Sequence, residues 1–132
     1  MSKIFVNGTF DILHPAHVAM LQHARSLGDH LLVAIDSDRR VQELKGADRP
    51  FFNQEDRRAT LQALRSVDWV WIFDSDQDLV DIIGTYAPDI MVKGSDYRGQ
   101  PIIGEHLVGS IEFFERIDEY SSTKAIQHIT NR

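Results

Sequence analysis

The sequence predicts an α/β fold, a doubly wound parallel sheet of five strands covered by helices on both faces. Three observations carry this expectation. Short apolar runs alternate along the chain with segments of helical periodicity. No repeat, low-complexity tract or Gly/Ser linker breaks the alternation, so residues 1–132 read as a single domain. The residues of unusual chemistry follow the apolar runs and do not precede them. Brief apolar strands separated by helices form parallel sheets buried on both sides. Right-handed crossovers wind such sheets in two directions, and ligands then bind at the carboxyl ends of the strands, where the winding reverses.

The elements follow in order. Lys3 to Asn7 is a short apolar run that stops at Gly8, the first strand. Pro15 to Leu27 carries Val18, Leu21, Ala24 and Leu27 at helical spacing and ends before Gly28. His30 to Ile35 is the second strand. Asn53 caps a helix through Ser66, with Glu55 and Asp56 in its first turn and Leu61 and Leu64 facing inward. Val67 to Phe73 is the third strand, Leu79 to Tyr86 a helix that stops before Pro88, and Ile90 to Val92 the short fourth strand. Ser110 to Ile117 holds the fifth, and Ser121 or Ser122 caps a last helix through about His128. The expected order is strand and helix in strict alternation, β-α-β-α-β-α-β-α-β-α.

Composition narrows the function. Hydrophobic residues at 42% and charged residues at 26% suit a packed domain and argue against disorder or fibres. No stretch approaches the length of uncharged apolar sequence that a membrane helix needs. The start, MSKIFVNGTFD, lacks an apolar core and a small-residue cleavage site, so no secretory signal is expected. The chain has no cysteine, which removes disulfides, thiolate zinc sites and cysteine nucleophiles and fits a cytoplasmic setting. Fourteen Lys and Arg stand against 20 Asp and Glu, a formal charge of −6, so no nucleic-acid surface is expected. An anionic ligand must then be held by a local site and not by the field of the whole molecule.

Such a site is written into the first loop, Asn7 to His17. Pro15 suits the first position of a helix, which places His14 at the helix start and His17 one turn in, on the same face. Both imidazoles then stand at the positive end of the helix dipole beside unpaired N–H groups, a setting that suits phosphate. Gly8 allows close backbone approach and the Thr9 hydroxyl adds a donor. A metal pair and a purely structural role are the alternatives; zinc pairs more often sit four apart with a helical Glu between them, which is missing here. His23, His30, His106 and His128 read as histidines without a role. Three further segments follow strands: Asp36 to Asp38, Lys93 to Gly99, and Arg116 to Thr123.

The run Gly8-Thr-Phe-Asp-Ile-Leu-His-Pro-Ala-His17 resembles the G-[TV]-F-D-x-x-H-x-G-H signature of the cytidylyltransferase-like nucleotidyltransferases. Arg116-Ile-Asp-Glu-Tyr-Ser-Ser-Thr123 is similar to their second signature, R-T-E-G-I-S-T-T. Ala16 stands in place of a glycine in the first. Residues 117–120 and 122 depart from the second, but the hydroxyls of Ser121, Ser122 and Thr123 remain. Between the signatures, Glu43 to Gly46, Arg49-Pro50, Glu55 to Arg57, Val67 to Val70 and Val92 to Tyr97 look like the adenylyltransferase domain of ADP-heptose synthesis enzymes. Arg116 looks more like the glycerol-3-phosphate cytidylyltransferases.

The resemblance implies a Rossmann-like nucleotidyltransferase fold. It implies transfer of CMP or AMP from CTP or ATP to a phosphorylated polyol or sugar, of the glycerol 3-phosphate or heptose 1-phosphate type, with release of pyrophosphate. It assigns catalysis to His14, His17, Lys45 and Arg116. Nucleotide binding falls to Gly8, Thr9, Phe10, Asp96, Ser121, Ser122 and Thr123, and acceptor or subunit contacts fall to Arg57, Asp68 and Lys93. Asp11 could orient a histidine or a metal-bound water. A divalent ion, Mg²⁺, would bridge phosphate oxygens without a metal centre built from protein ligands, and a homodimer is expected. The partners are a nucleoside triphosphate and a small phosphorylated acceptor, with no nucleic acid and no membrane. An ATP-dependent transferase acting on a vitamin-derived phosphate such as FMN is the nearest alternative, and a nucleotide-binding sensor without turnover is the alternative of another class. Read without their neighbours, Lys45 and Arg57 would be solvated surface charges. Trp69 and Trp71 read as buried in the sheet faces or in a subunit contact.

Overall fold

The computed structural model describes residues 2–115. Its strands are β1 (Lys3–Gly8), β2 (His30–Asp36), β3 (Trp69–Phe73), β4 (Ile90–Gly94) and β5 (Ser110–Phe114). Its helices are α1 (Pro15–Ser26), α2 (Asp38–Lys45), α3 (Gln54–Gln62) and α4 (Asp76–Tyr86). The strands form one sheet in the order β3-β2-β1-β4-β5, and every neighbouring pair is parallel. This is the expected doubly wound sheet. The chain moves outward from β1 through β2 to β3, then crosses back to place β4 on the other side of β1.

Each strand residue alternates faces, so successive apolar residues feed two cores. Ile4 and Val6 of β1, with Leu31, Val33 and Ile35 of β2, pack against Leu21 and Ala24 of α1 and Leu61 of α3. Phe5, Leu32, Ala34 and Met91 pack on the opposite face against Leu79, Ile83 and Tyr86 of α4. Burying each of the Val, Leu, Ile, Phe and Met side chains among them stabilises the fold by about 1.5–3 kcal/mol. Three helices start on side-chain caps: Ser37, Asn53 and Ser75 accept from the backbone N–H groups of Arg40, Asp56 and Asp78.

The pairing along β1 is uneven. Six residue pairs join it to β2, but only Ile4–Ile90 and Phe5–Met91 join it to β4. Beyond Phe5 the two central strands separate.

Several expectations need correction. Helix α2 was not foreseen: of its eight residues only Val41 is buried, too little for a periodic pattern. No α-helix joins β4 to β5; two single 3₁₀ turns, Ser95–Tyr97 and Glu105–Leu107, make the connection, so strict alternation fails there. Helix α4 begins at its Ser75 cap and not at Leu79, and α3 ends at Gln62, short of Ser66. Strand β3 starts at Trp69 and not at Val67. Trp69 and Trp71 lie on this edge strand, 45% and 39% exposed, and are not buried in the sheet faces. Arg116, Ser121, Ser122, Thr123 and the helix expected from Ser121 or Ser122 lie outside the described residues, as does the end of the fifth strand at Ile117. Among the described residues no helix is long and apolar enough to cross a membrane.

Candidate active site

A cleft of about 370 Å³ opens where β1 and β4 part. Its floor is the strand tips: Val6 to Gly8 from β1 with Thr9 just beyond it, Asp36 from β2, Phe73 from β3, and Val92 to Gly94 from β4. Helix α2 contributes Arg40, Leu44 and Lys45 to one wall, and Tyr97, Ile102 and Ile103 form the other. The topology places a ligand site at this point.

The imidazole pair stands at the same end of the sheet, on the N-terminus of α1. His14 is the N-cap residue in extended conformation. Its backbone N–H donates to His17 Nδ1 at 3.3 Å, and the rings stack with centroids 3.7 Å apart. An accepting Nδ1 carries no proton, so the neutral His17 ring presents its hydrogen on Nε2. Burial, then the neighbouring His14 and the charge of Lys45, lowers the His17 pKa to about 4. Burial lowers that of His14 as well. Phe10 meets the edge of the His17 ring at 5.1 Å. It does so from a left-handed backbone, φ +50°, and a Cβ on Gly8 would come within 3.0 Å of the Phe10 ring.

Two lysines face the cleft. Lys45 ends α2, and packing around its ammonium, then the charge of Arg49, lowers its pKa. Lys93 is 9% exposed and holds its ammonium 4.6 Å from the centre of the Tyr97 ring. Burial lowers its pKa, against the opposing pull of Asp36 and Asp96. A Cβ on Gly94 would lie 2.6 Å from Asp96 Oδ1, so the glycine makes room for that carboxylate.

The Thr9 hydroxyl donates to Asp36 Oδ2 at 2.9 Å, and Asp36 Oδ1 accepts from Arg40 Nε at 2.9 Å. Arg40 also donates to Asp76 at 2.6 Å and lies over the Phe73 ring. Sequence reasoning missed Arg40, because its place in the cleft depends on the unforeseen α2.

Gly8, Thr9, Phe10, His14, His17, Lys45, Lys93 and Asp96 thus converge on one end of the sheet. Arg57 and Asp68, expected around the acceptor or a subunit contact, do not line this cleft. Arg57 is 2% exposed and spends its donors inside the protein. Nε donates to the Phe52 carbonyl, Nη1 to those of Thr9 and Asp36, and Nη2 to Asp38 Oδ1. It braces three loops beneath the site. Asp68 lies at the amino ends of the strands, where it accepts from Leu31 N–H and pairs with Arg25 at 3.1 Å. Among the described residues Asp11 bonds to no histidine; its buried carboxylate accepts from the N–H groups of Phe51 and Phe52 and from Arg49.

The family model described as cytidylyltransferase-like matches residues 5–128. Among curated proteins, the bifunctional protein HldE of Campylobacter fetus subsp. fetus is 46% identical over 97% of the chain, and that of Syntrophotalea carbinolica 41% over 98%. The chain spans only 28% and 27% of those relatives. Among solved structures, the lipopolysaccharide core biosynthesis protein of Thermoplasma volcanium GSS1 superposes with a TM-score of 0.68 at 24% identity, covering 89% of this chain and 97% of that one. Thermotoga maritima TmcAL bound with alpha-thio ATP superposes at 0.66 with 13% identity, covering 99% of this chain and 50% of its own. These two share the fold.

Proposed function

The chain belongs to the cytidylyltransferase-like family, and from that premise we propose that it is a nucleotidyltransferase. It transfers a nucleoside monophosphate from a nucleoside triphosphate to the phosphate of a small sugar or polyol. The observation that carries this reading is the stacked His14–His17 pair at a helix N-terminus, set beside a strand-tip cleft that also holds Lys45 and Lys93.

An oxygen of the acceptor phosphate attacks the α-phosphorus in line. The new P–O bond forms as the bond to the bridging oxygen breaks, and pyrophosphate leaves with the electron pair. The attacking oxygen is already anionic, so no base is needed, and catalysis consists of positioning and charge neutralisation. The His17 Nε2–H donates to the phosphate chain, and the field of the bound polyanion favours the protonated imidazole as negative charge shifts to the leaving group. Lys45 and Lys93 draw the two anions together, and Gly8 lets the backbone approach them. Arg116 and Ser121 to Thr123 keep the roles of gripping phosphates that their signature implies.

Mg²⁺ would neutralise charge on the triphosphate. The cleft carboxylate Asp36 is already engaged by Thr9 and Arg40, which suits an ion carried mainly by phosphate oxygens and water. The resemblance of residues 43–97 to ADP-heptose synthesis enzymes favours ATP with heptose 1-phosphate. Arg116 favours CTP with glycerol 3-phosphate. We assign the cytoplasm as the setting, where nucleoside triphosphates are abundant, and a homodimer as the assembly. The test is pyrophosphate release with ATP and CTP against heptose 1-phosphate, glycerol 3-phosphate and FMN. Release with one pair bears the reading out, while nucleotide binding without release for every pair makes the chain a sensor.

A further inference from the structure

Asn7 is out of keeping with its place. It is the next-to-last residue of β1, the strand in the middle of the sheet, where apolar residues prevail and asparagine is disfavoured. Alternation along the strand sets its direction. Phe5, two residues earlier, packs in the core beneath α4, so the Asn7 side chain points to the same side of the sheet. The flanking strands obey the same rule. Ala34 and Met91 belong to that core, so Asp36 of β2 and Lys93 of β4 also point to the α4 side. Register sets two of these three level with each other. Phe5 pairs with Met91, so Asn7 and Lys93, each two residues further on, face one another across the parting of the strands.

All three side chains line the cleft, above the buried apolar groups of Phe73, Leu79 and Ile102. They differ in what the protein leaves open. Both Asp36 oxygens are taken, one by Thr9 and one by Arg40. The Lys93 ammonium rests on the Tyr97 ring. Neither that ammonium nor the half-buried Asn7 carboxamide hydrogen-bonds another described residue. The cleft also reaches through to the other side of the sheet, where Val6 and Val92 line it together with Met20 of α1. His14 and His17 belong to the first turn of α1, which packs on that side. A triphosphate held at the α1 N-terminus therefore meets its acceptor through the parting. In-line displacement puts the attacking oxygen on the side of the α-phosphorus away from the departing pyrophosphate, which leaves the α4 side for the body of the acceptor.

We propose that Asn7 determines acceptor specificity, its carboxamide pairing with hydroxyl groups of a phosphorylated sugar or polyol whose phosphate lies against Lys93. This rests on the nucleotidyltransferase reading and names a residue that reads its second substrate. A carboxamide offers two donors and an acceptor, and a hydroxyl engages both kinds. A polar group placed to pair with a substrate hydroxyl also discriminates against ligands that lack one. Asn7 stays neutral throughout and transfers no proton.

The test is steady-state pyrophosphate release by the full chain and by Asn7→Leu and Asn7→Asp, with ATP and heptose 1-phosphate and with CTP and glycerol 3-phosphate. Asn7→Leu keeps the bulk of the side chain and loses its hydrogen bonds. It raises the acceptor KM about tenfold and leaves the nucleotide KM nearly unchanged. Inorganic phosphate carries no carbon-borne hydroxyl, so as an inhibitor competing with the acceptor it acts equally on the unaltered chain and on Asn7→Leu. Asn7→Asp keeps the shape and serves if Asn7→Leu fails to fold: it loses the donors and sets a carboxylate opposite Lys93, so the acceptor KM rises there too. A rise confined to the nucleotide KM assigns Asn7 to the nucleotide and overturns the proposal. Unchanged kinetics overturn it as well, as does phosphate inhibition weakened in Asn7→Leu as much as acceptor binding. If the unaltered chain releases no pyrophosphate with either pair, the broader reading fails instead. Thermal midpoints with heptose 1-phosphate and with glycerol 3-phosphate then decide for Asn7. A rise in the unaltered chain that is lost in Asn7→Leu supports the site, and an equal rise in both, or none in either, removes it.

Discussion

At the scale of single residues, the site works through groups whose charge is set by their surroundings. His17 accepts from its neighbour's backbone and is held neutral by burial, so it is a donor before it is a cation. In the proposed reaction His17 is the preorganised partner of the developing charge, so His17→Ala is expected to lower kcat by about a hundredfold or more, measured by pyrophosphate release. Its pKa also enters the stability. The folded value of about 4 lies below the ordinary 6.5, so the unfolded chain binds the proton first as pH falls. Stability is full above about 6.5 and declines toward 4. Thermal midpoints taken from pH 7 to pH 4.5 should fall less steeply in His17→Gln than in the unaltered chain. Arg57 tests a different role. Its three carbonyl acceptors would be orphaned by Arg57→Ala, which should cost about 3 kcal/mol or more in a urea titration, with Arg57→Lys recovering little because an ammonium cannot span the fork. A normal urea midpoint with a raised acceptor KM would return Arg57 to the cleft. Gly8, Thr9, Phe10, His14 and His17 were legible in the sequence because they lie within ten residues of one another, on a strand tip and the following helix start. The internal bonds of Arg57 and Asp68 were not, since they depend on partners elsewhere in the chain: Thr9, Asp36 and Leu31.

At the scale of elements, α2 is the piece that brings cations over the strand tips. It is short and mostly charged, so little burial holds it in place. Its Ser37 cap accepts from Arg40 N–H, and the same hydroxyl donates to Asp74. Ser37→Ala is expected to cost about 1 kcal/mol and to raise KM more than it lowers kcat, because Arg40 and Lys45 ride on that helix. Urea denaturation and steady-state kinetics check the two halves. The strands were readable because apolar runs report burial directly. Helix α2 was not, because a helix that covers a cleft and not a core has no apolar stripe. The β4–β5 connection was misjudged for a related reason: its apolar Ile102 and Leu107 fill the face beneath α4 from irregular turns.

At the scale of the whole molecule, the parallel sheet and its two-way winding followed from the alternation of elements, and the cleft follows from the winding. The edge exposure of Trp69 and Trp71 could not be read the same way, since a strand's place in a sheet is not written in its own residues. The thin seam between β1 and β4 has a mechanical meaning. Two rungs hold the halves of the sheet together where six join β1 to β2. A nucleotide lodged in that gap would splint the molecule along its weakest line. Amide hydrogens of Val92 to Gly94 should then exchange more slowly with solvent deuterium when ATP is present, and those of β2, already stitched on both sides, should change little.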